Sequence, residues 1–147
     1  QRVLGYIEQG HAQGAKLRLG GARALKETGG YYIEPTIFDE VRPEMTIARE
    51  EIFGPVLCIL GYDDLDQAVE IGNDTEYGLA GYVSGADLDA ARAVARRIRA
   101  GSVAINHGFD MNAPFGGYKK SGNGREWGLF GFDDYLEIKA ALGYAPA

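Results

Sequence analysis

An α/β fold built on a parallel sheet is predicted by three short apolar runs, two amphipathic helices between them, and the short links that join the five. The runs are VLCIL at 56–60, LAGYV at 79–83 and SVAIN at 102–106. A strand–helix–strand crossover brings the chain back to the same end of the sheet. Two in succession therefore give parallel strands with helices on their faces.

In chain order, residues 2–13 set Val3, Leu4, Ile7 and Ala12 near one helical face. KLRLGG at 16–21 is a short alternating strand closed by its glycine pair. YYIEPTIFDEV at 31–41 reads as extended, and Pro35, with no N–H to give a ladder, confines it to an edge or an irregular segment. VLCIL is apolar throughout, so it is expected to be buried, Cys58 with it. Asp63 or Asp64 caps a helix carrying Leu65, Ala68, Val69 and Ile71, which Gly72 and Asn73 close. Asp87 caps a longer helix with Leu88, Ala91, Val94, Ala95 and Ile98, ended by Gly101. Ligands of such sheets gather beyond the carboxyl ends of the strands, which points to the loop after Asn106. Residues 107–124 form a glycine-rich loop too long for a simple connector, and a short helical stretch follows from Arg125. Residues 135–144 alternate, with Leu136, Ile138, Ala140 and Leu142 opposed to Glu137 and Lys139. They read as a terminal strand that leaves an edge open unless more of the chain or another subunit pairs with it.

Composition narrows the function. The 147 residues are 46% apolar and 24% charged, ordinary for one modest globular domain with its own core. No window is apolar for long enough to make a membrane helix, and residues 1–20 lack a signal-peptide layout. The chain opens inside a helical pattern without methionine, as a sequence beginning mid-protein would. A net charge of −6 with a pI near 4.9 disfavours nucleic acid and anionic lipid. The arginines between 92 and 99 read as a solvated helix face. One cysteine allows no intrachain disulfide and argues against a thiolate zinc site, so a reducing, cytoplasmic setting is the default. The 22 glycines are roughly double the usual share, so loops with positive φ or close backbone approach are much of what is encoded.

Two tracts carry more. EEIFGPV at 50–56 and PFGGYKKSGNGRE at 114–126, in this order and with the strand–helix units between them, resemble the C-terminal half of the aldehyde dehydrogenase superfamily. GGYYIEPTIF, NDTEYGLAGYV and YLEIK resemble it too, and the likeness runs from Arg2 to Gly143. The resemblance implies an enzyme using NAD or NADP to oxidise an aldehyde. A cysteine thiolate attacks the aldehyde, a thiohemiacetal passes hydride to the nicotinamide, and a glutamate-activated water releases the acid. It places that cysteine and that glutamate upstream of this chain. Residues 1–124 then correspond to the later part of the catalytic domain. Residues 125–147 correspond to a C-terminal helix and an edge strand that extends a neighbour's sheet in a homo-oligomer.

The same resemblance assigns residues. Glu51 holds the nicotinamide ribose and Phe53 lies against the nicotinamide ring. Phe115, and more loosely Phe109, line an apolar tunnel for the aldehyde. Glu126 relays protons to bulk water in some betaine-aldehyde-type members, which also hold potassium on backbone carbonyls matching Lys119 and Gly122. Plainer readings stand beside these. Glu50 and Glu51 can be a solvated acidic pair, Phe109 a surface aromatic, and Glu126 a carboxylate at a helix start. The whole chain can be an α/β binding or assembly module that has lost catalysis. Buried Cys58 is no substitute nucleophile, SGNGRE is no dinucleotide fingerprint, and His11 and His107 make no metal pair.

Overall fold

Phe38 and Met45 are almost wholly withdrawn from solvent, and the first half of the chain is arranged around them. The computed structural model describes residues 1–143, which divide into two compact units at Glu76 and Tyr77.

In the first unit, helix α1 (Arg2–Ala12) leads into β1 (Lys16–Leu19), a small hairpin of β2 (Arg23–Ala24) and β3 (Tyr32–Ile33), and then β4 (Thr36–Asp39). Helix α2 (Thr46–Arg49), β5 (Val56–Cys58) and helix α3 (Leu65–Asn73) follow. The three-stranded sheet has the order β1–β4–β5, antiparallel at the first pair and parallel at the second, with Phe38 opposite Cys58. Ile7 of α1, Ile47 of α2, Val41 and Ala15 close over Phe38. The Gln13 side chain ties the two helices together: its Oε1 accepts from the Thr46 backbone amide and its Nε2 donates to the Thr46 hydroxyl, both at 2.8 Å. On the surface Arg18 donates to Asp39 at 2.7 Å, which holds that carboxyl below its ordinary pKa.

One expectation holds here and one fails. Pro35 lies in an irregular stretch between β3 and β4, although β4 itself is the central strand. Pro35 falls one residue before β4, where its missing N–H removes no ladder bond, and the Thr36 amide donates to the Pro55 carbonyl at 2.8 Å. VLCIL, in contrast, is not buried throughout. β5 ends at Cys58 and lies on the sheet's edge, leaving Leu57 and Ile59 56% and 44% exposed.

The second unit holds β6 (Tyr77–Gly78), β7 (Ala80–Val83), helix α4 (Leu88–Ala95), β8 (Ser102–Ile105), β9 (Tyr118–Lys119) and helix α5 (Phe130–Asp133). β7, α4 and β8 make the expected crossover, with β7 and β8 parallel from Ala80–Ser102 to Val83–Ile105. The caps are present: Asp64 accepts from the Gln67 amide, and Asp87 from the amides of Asp89 and Ala90. α4 ends about a turn early, though Ile98 still packs near Gly81.

The single three-stranded parallel sheet is corrected to two separate parallel pairs, β4–β5 and β7–β8, because β5 takes β4 as its partner. The glycine-rich loop contains a strand, β9, antiparallel to β6. No helix starts at Arg125; α5 begins at Phe130. The predicted terminal strand forms no ladder over residues 136–143, and Tyr144 lies outside the described residues. Its alternating apolar side chains Leu136, Ile138 and Leu142 face solvent. Among the described residues no helix is long and apolar enough to cross a membrane.

Phe38→Ala should lower the stability of this chain by about 3–5 kcal/mol, the usual cost of emptying a filled aromatic site. Half-exposed Leu57→Ala should cost under about 1 kcal/mol, since little apolar area is lost. Urea unfolding followed by circular dichroism measures both. Equal losses would show that the core is not centred on Phe38.

Candidate functional site

The loop between α2 and β5 carries Glu50, Glu51 and Phe53, and α1 holds it at three points. Arg2 donates to the Glu51 carbonyl at 2.7 Å. Tyr6 donates its hydroxyl to the Glu50 carboxylate at 2.7 Å, and Arg2 lies over the Tyr6 ring. Val3 fills the space beside Gly54 so closely that a Cβ there would come within 2.6 Å of it. The hydrogen bond to Glu50 also makes the Tyr6 phenol harder to ionise. Glu50 is thus not simply solvated, while the Glu51 side chain is left at the surface.

Phe53 is 83% exposed and sits at φ 54°, a left-handed conformation rare for a bulky side chain. Such strain persists only where the surroundings impose it, and it clusters at ligand-contacting positions. Glu51, Phe53 and Cys58 border one groove of about 360 Å³ with Ile47 and Ile52. A surface carboxylate can accept hydrogen bonds from a pair of vicinal hydroxyls, and an exposed ring can lie against a flat heterocycle. These residues therefore fit the nicotinamide-ribose end of a dinucleotide. Cys58, expected in the core, is half-buried at the groove. Its thiol points to the Ile47 carbonyl at 3.4 Å, and burial raises its pKa, which keeps it protonated.

A second feature lies in the second unit, where a cleft of about 540 Å³ is bounded by β7, β8, residues 108–115 and Trp127. Phe109 and Phe115 both line it. Asn106 and His107, both at positive φ, turn the chain away from β8. The Asn106 amide accepts from and donates to Gly85, each at 2.9 Å, tying together the loops that leave the parallel strands.

The glycine loop is fixed by contact between main chains. A Cβ on Gly101 would stand 1.7 Å from the Gly116 carbonyl oxygen, so only glycine fits. Arg125 donates from one guanidinium nitrogen to the carbonyls of Gly117, Asn123 and Gly124, all at 2.9 Å, and lies over the Tyr118 ring. Phe115 and Glu126 then exchange two backbone hydrogen bonds of 2.7 Å. This removes the helix-start reading of Glu126, whose exposed side chain borders a small pocket with Ser121, Asp134 and Tyr135.

Lys119 and Gly122 share a turn in which the Lys119 carbonyl already accepts from the Gly122 amide at 3.2 Å. The structure thus brings the two main-chain oxygens named for potassium into one turn. Among the described residues no three or more His, Cys, Asp or Glu cluster to hold a metal. Sequence reasoning missed Arg2 and Tyr6, although their spacing of four puts both on one face of α1. It also passed over Arg125 as a loop clamp and Trp127 as a cleft wall.

The comparisons agree with one another. The sequence profile described as "Aldehyde dehydrogenase family" matches residues 1–141. A 3-succinoylsemialdehyde-pyridine dehydrogenase of a Pseudomonas species is 55% identical over 146 residues, which is 98% of this chain and 31% of that protein. A crystal structure of a variant aldehyde dehydrogenase C from Pseudomonas syringae, with NAD+ and octanal, superposes with a TM-score of 0.92. The identity is 56%, over 99% of this chain and 30% of the other. A Mycobacterium tuberculosis aldehyde dehydrogenase complexed with NAD+ gives a TM-score of 0.88 at 44% identity, over 99% and 31%. The chain thus spans about a third of the length of the relatives it matches.

The raised pKa of Cys58 has a measurable consequence. Iodoacetamide at pH 8 should modify it several-fold more slowly than free cysteine, because the thiolate is the reacting form. Mass spectrometry of the time course reads this. Alkylation faster than free cysteine would mean an activated thiol at the groove.

Proposed function

Because the chain belongs to the aldehyde dehydrogenase family, we propose that it is the C-terminal part of an enzyme that oxidises an aldehyde to a carboxylic acid with NAD or NADP. The order of the two motif tracts supports the C-terminal placement, and the apolar surface left open at Leu57, Ile59 and Ile138 suits a chain that packs against more protein. One observation carries the reading: Glu51 and an exposed, conformationally strained Phe53 border the same groove.

The bound dinucleotide supplies the hydride acceptor. In this chain Glu51 accepts hydrogen bonds from the ribose hydroxyls beside the nicotinamide, and Phe53 supports the ring. Both are held by the clasp of α1 on the loop. Phe115 and Phe109 line the approach of the aldehyde and keep water from it. Glu126, fixed by its backbone bridge to Phe115 yet open to solvent, passes the proton released at the general base out to water. The nucleophilic cysteine and that base belong to parts of the protein outside these residues, and protonated Cys58 does not replace them. No step runs through potassium. Residues 1–124 serve the catalytic domain and 125–147 serve assembly, the exposed alternation of Leu136, Ile138 and Leu142 pairing with a neighbouring subunit's sheet edge. The enzyme works in the cytoplasm.

Aldehyde-dependent NAD(P)H formation tests this directly. The 147-residue chain should not turn over, while the full-length protein should. Glu51→Gln in the latter should lower kcat/KM for the dinucleotide about 10- to 100-fold, the worth of charge-assisted hydrogen bonds. An inactive full-length protein would favour a binding or assembly module. Turnover by the short chain alone would place a complete site within it.

A further inference from the structure

We propose that Trp127 is a specificity-determining residue, forming with Phe109 and Phe115 a three-aromatic wall that selects aldehydes bearing a bulky apolar group, aryl or long alkyl. This rests on the proposed aldehyde oxidation and deepens it. Trp127 follows Glu126 directly and is held at φ 65°, a left-handed conformation that an indole side chain seldom adopts. Two contacts impose it. The Phe115–Glu126 bridge fixes the residue before, and Gly128, at φ 60°, comes so near the Asn112 carbonyl that a Cβ there would lie 2.3 Å away. The segment bearing Trp127 is thereby pressed against the loop bearing Phe109.

Trp127 and Phe115 stack with ring centroids 5.2 Å apart and planes tilted by 34°. Trp127 is still 45% exposed, so part of its indole remains for a ligand. The cleft's volume of about 540 Å³ falls within the range that holds a small organic molecule. Asp110 is the one charged residue among those lining it, and its carboxylate accepts from the Asn112 amide of its own loop at 2.8 Å. The lining holds no cation to pair with an anionic substrate, whereas the rings of Phe109, Phe115 and Trp127 favour an apolar one.

Trp127 is the sole tryptophan of the chain, so its fluorescence reports on the cleft without labelling. The 147-residue chain is titrated with 3-phenylpropanamide, an unreactive stand-in for the aldehyde, and with acetamide. A saturable blue shift or quench is expected with the first and none with the second at equal concentration. Phe109→Ala should weaken binding of the first about 10-fold. In the full-length enzyme Trp127→Leu should lower the ratio of kcat/KM for 3-phenylpropanal to that for acetaldehyde about 10-fold. The KM for the dinucleotide should not change. No saturable response to the phenyl compound, or equal loss on both aldehydes, overturns the proposal. If the full-length protein oxidises no aldehyde, the functional reading falls, and the fluorescence titration still decides whether the cleft binds apolar groups.

Discussion

Two stretches of main chain, at Gly101 and Gly116, touch with no room for a side chain between them, and the architecture of the second unit depends on that contact. It brings the glycine-rich loop against the end of the β7–α4–β8 crossover, so the loop has a fixed course although little of it is regular structure. Arg125 then gathers three carbonyls that the turns leave without ladder partners. With loop and clamp in place, Phe115 pairs with Glu126, and that pairing decides where the aromatic wall and the exposed carboxylate stand. A long loop would otherwise lose too much conformational entropy to hold such positions.

The first unit solves the same problem differently. There the functional loop is short and is fixed from outside by a helix that is itself anchored through Ile7 on Phe38. Arg2, Val3 and Tyr6 each meet the loop, and their combined hold accounts for an exposed phenylalanine staying in a left-handed conformation. In both units a rigid core element presents residues that face solvent or ligand, as is usual where precision matters.

Much of this was legible in the sequence, because the signals were local. Aspartates at 64 and 87 marked helix starts, since a cap needs only its own next turn. The tract PFGGYKKSGNGRE brought Phe115 and Glu126 forward for separate roles, and nothing in it foretold that their backbones bond to each other. What failed depended on partners. Pro35 marked an irregular stretch correctly, but nothing local says that the strand starting one residue later is the central one. VLCIL looked buried because apolar runs are read as having two covered faces, while β5 has one neighbour, β4. The tail has the alternation of a strand but no ladder, since alternation fixes faces and not partners. Arg2 and Tyr6 were passed over because their importance comes from a loop more than forty residues away.

Hydrogen exchange at single-residue resolution tests most directly whether the glycine loop is fixed as described. The Phe115 and Glu126 amides, each donating to the other residue's carbonyl at 2.7 Å, should exchange orders of magnitude more slowly than amides of an unstructured peptide. Gly101→Ala should abolish that protection while leaving the amides of β4 protected. Exchange of Phe115 and Glu126 at the unstructured rate in the unaltered protein would contradict the fixed loop, and with it the placing of the residues that depend on it.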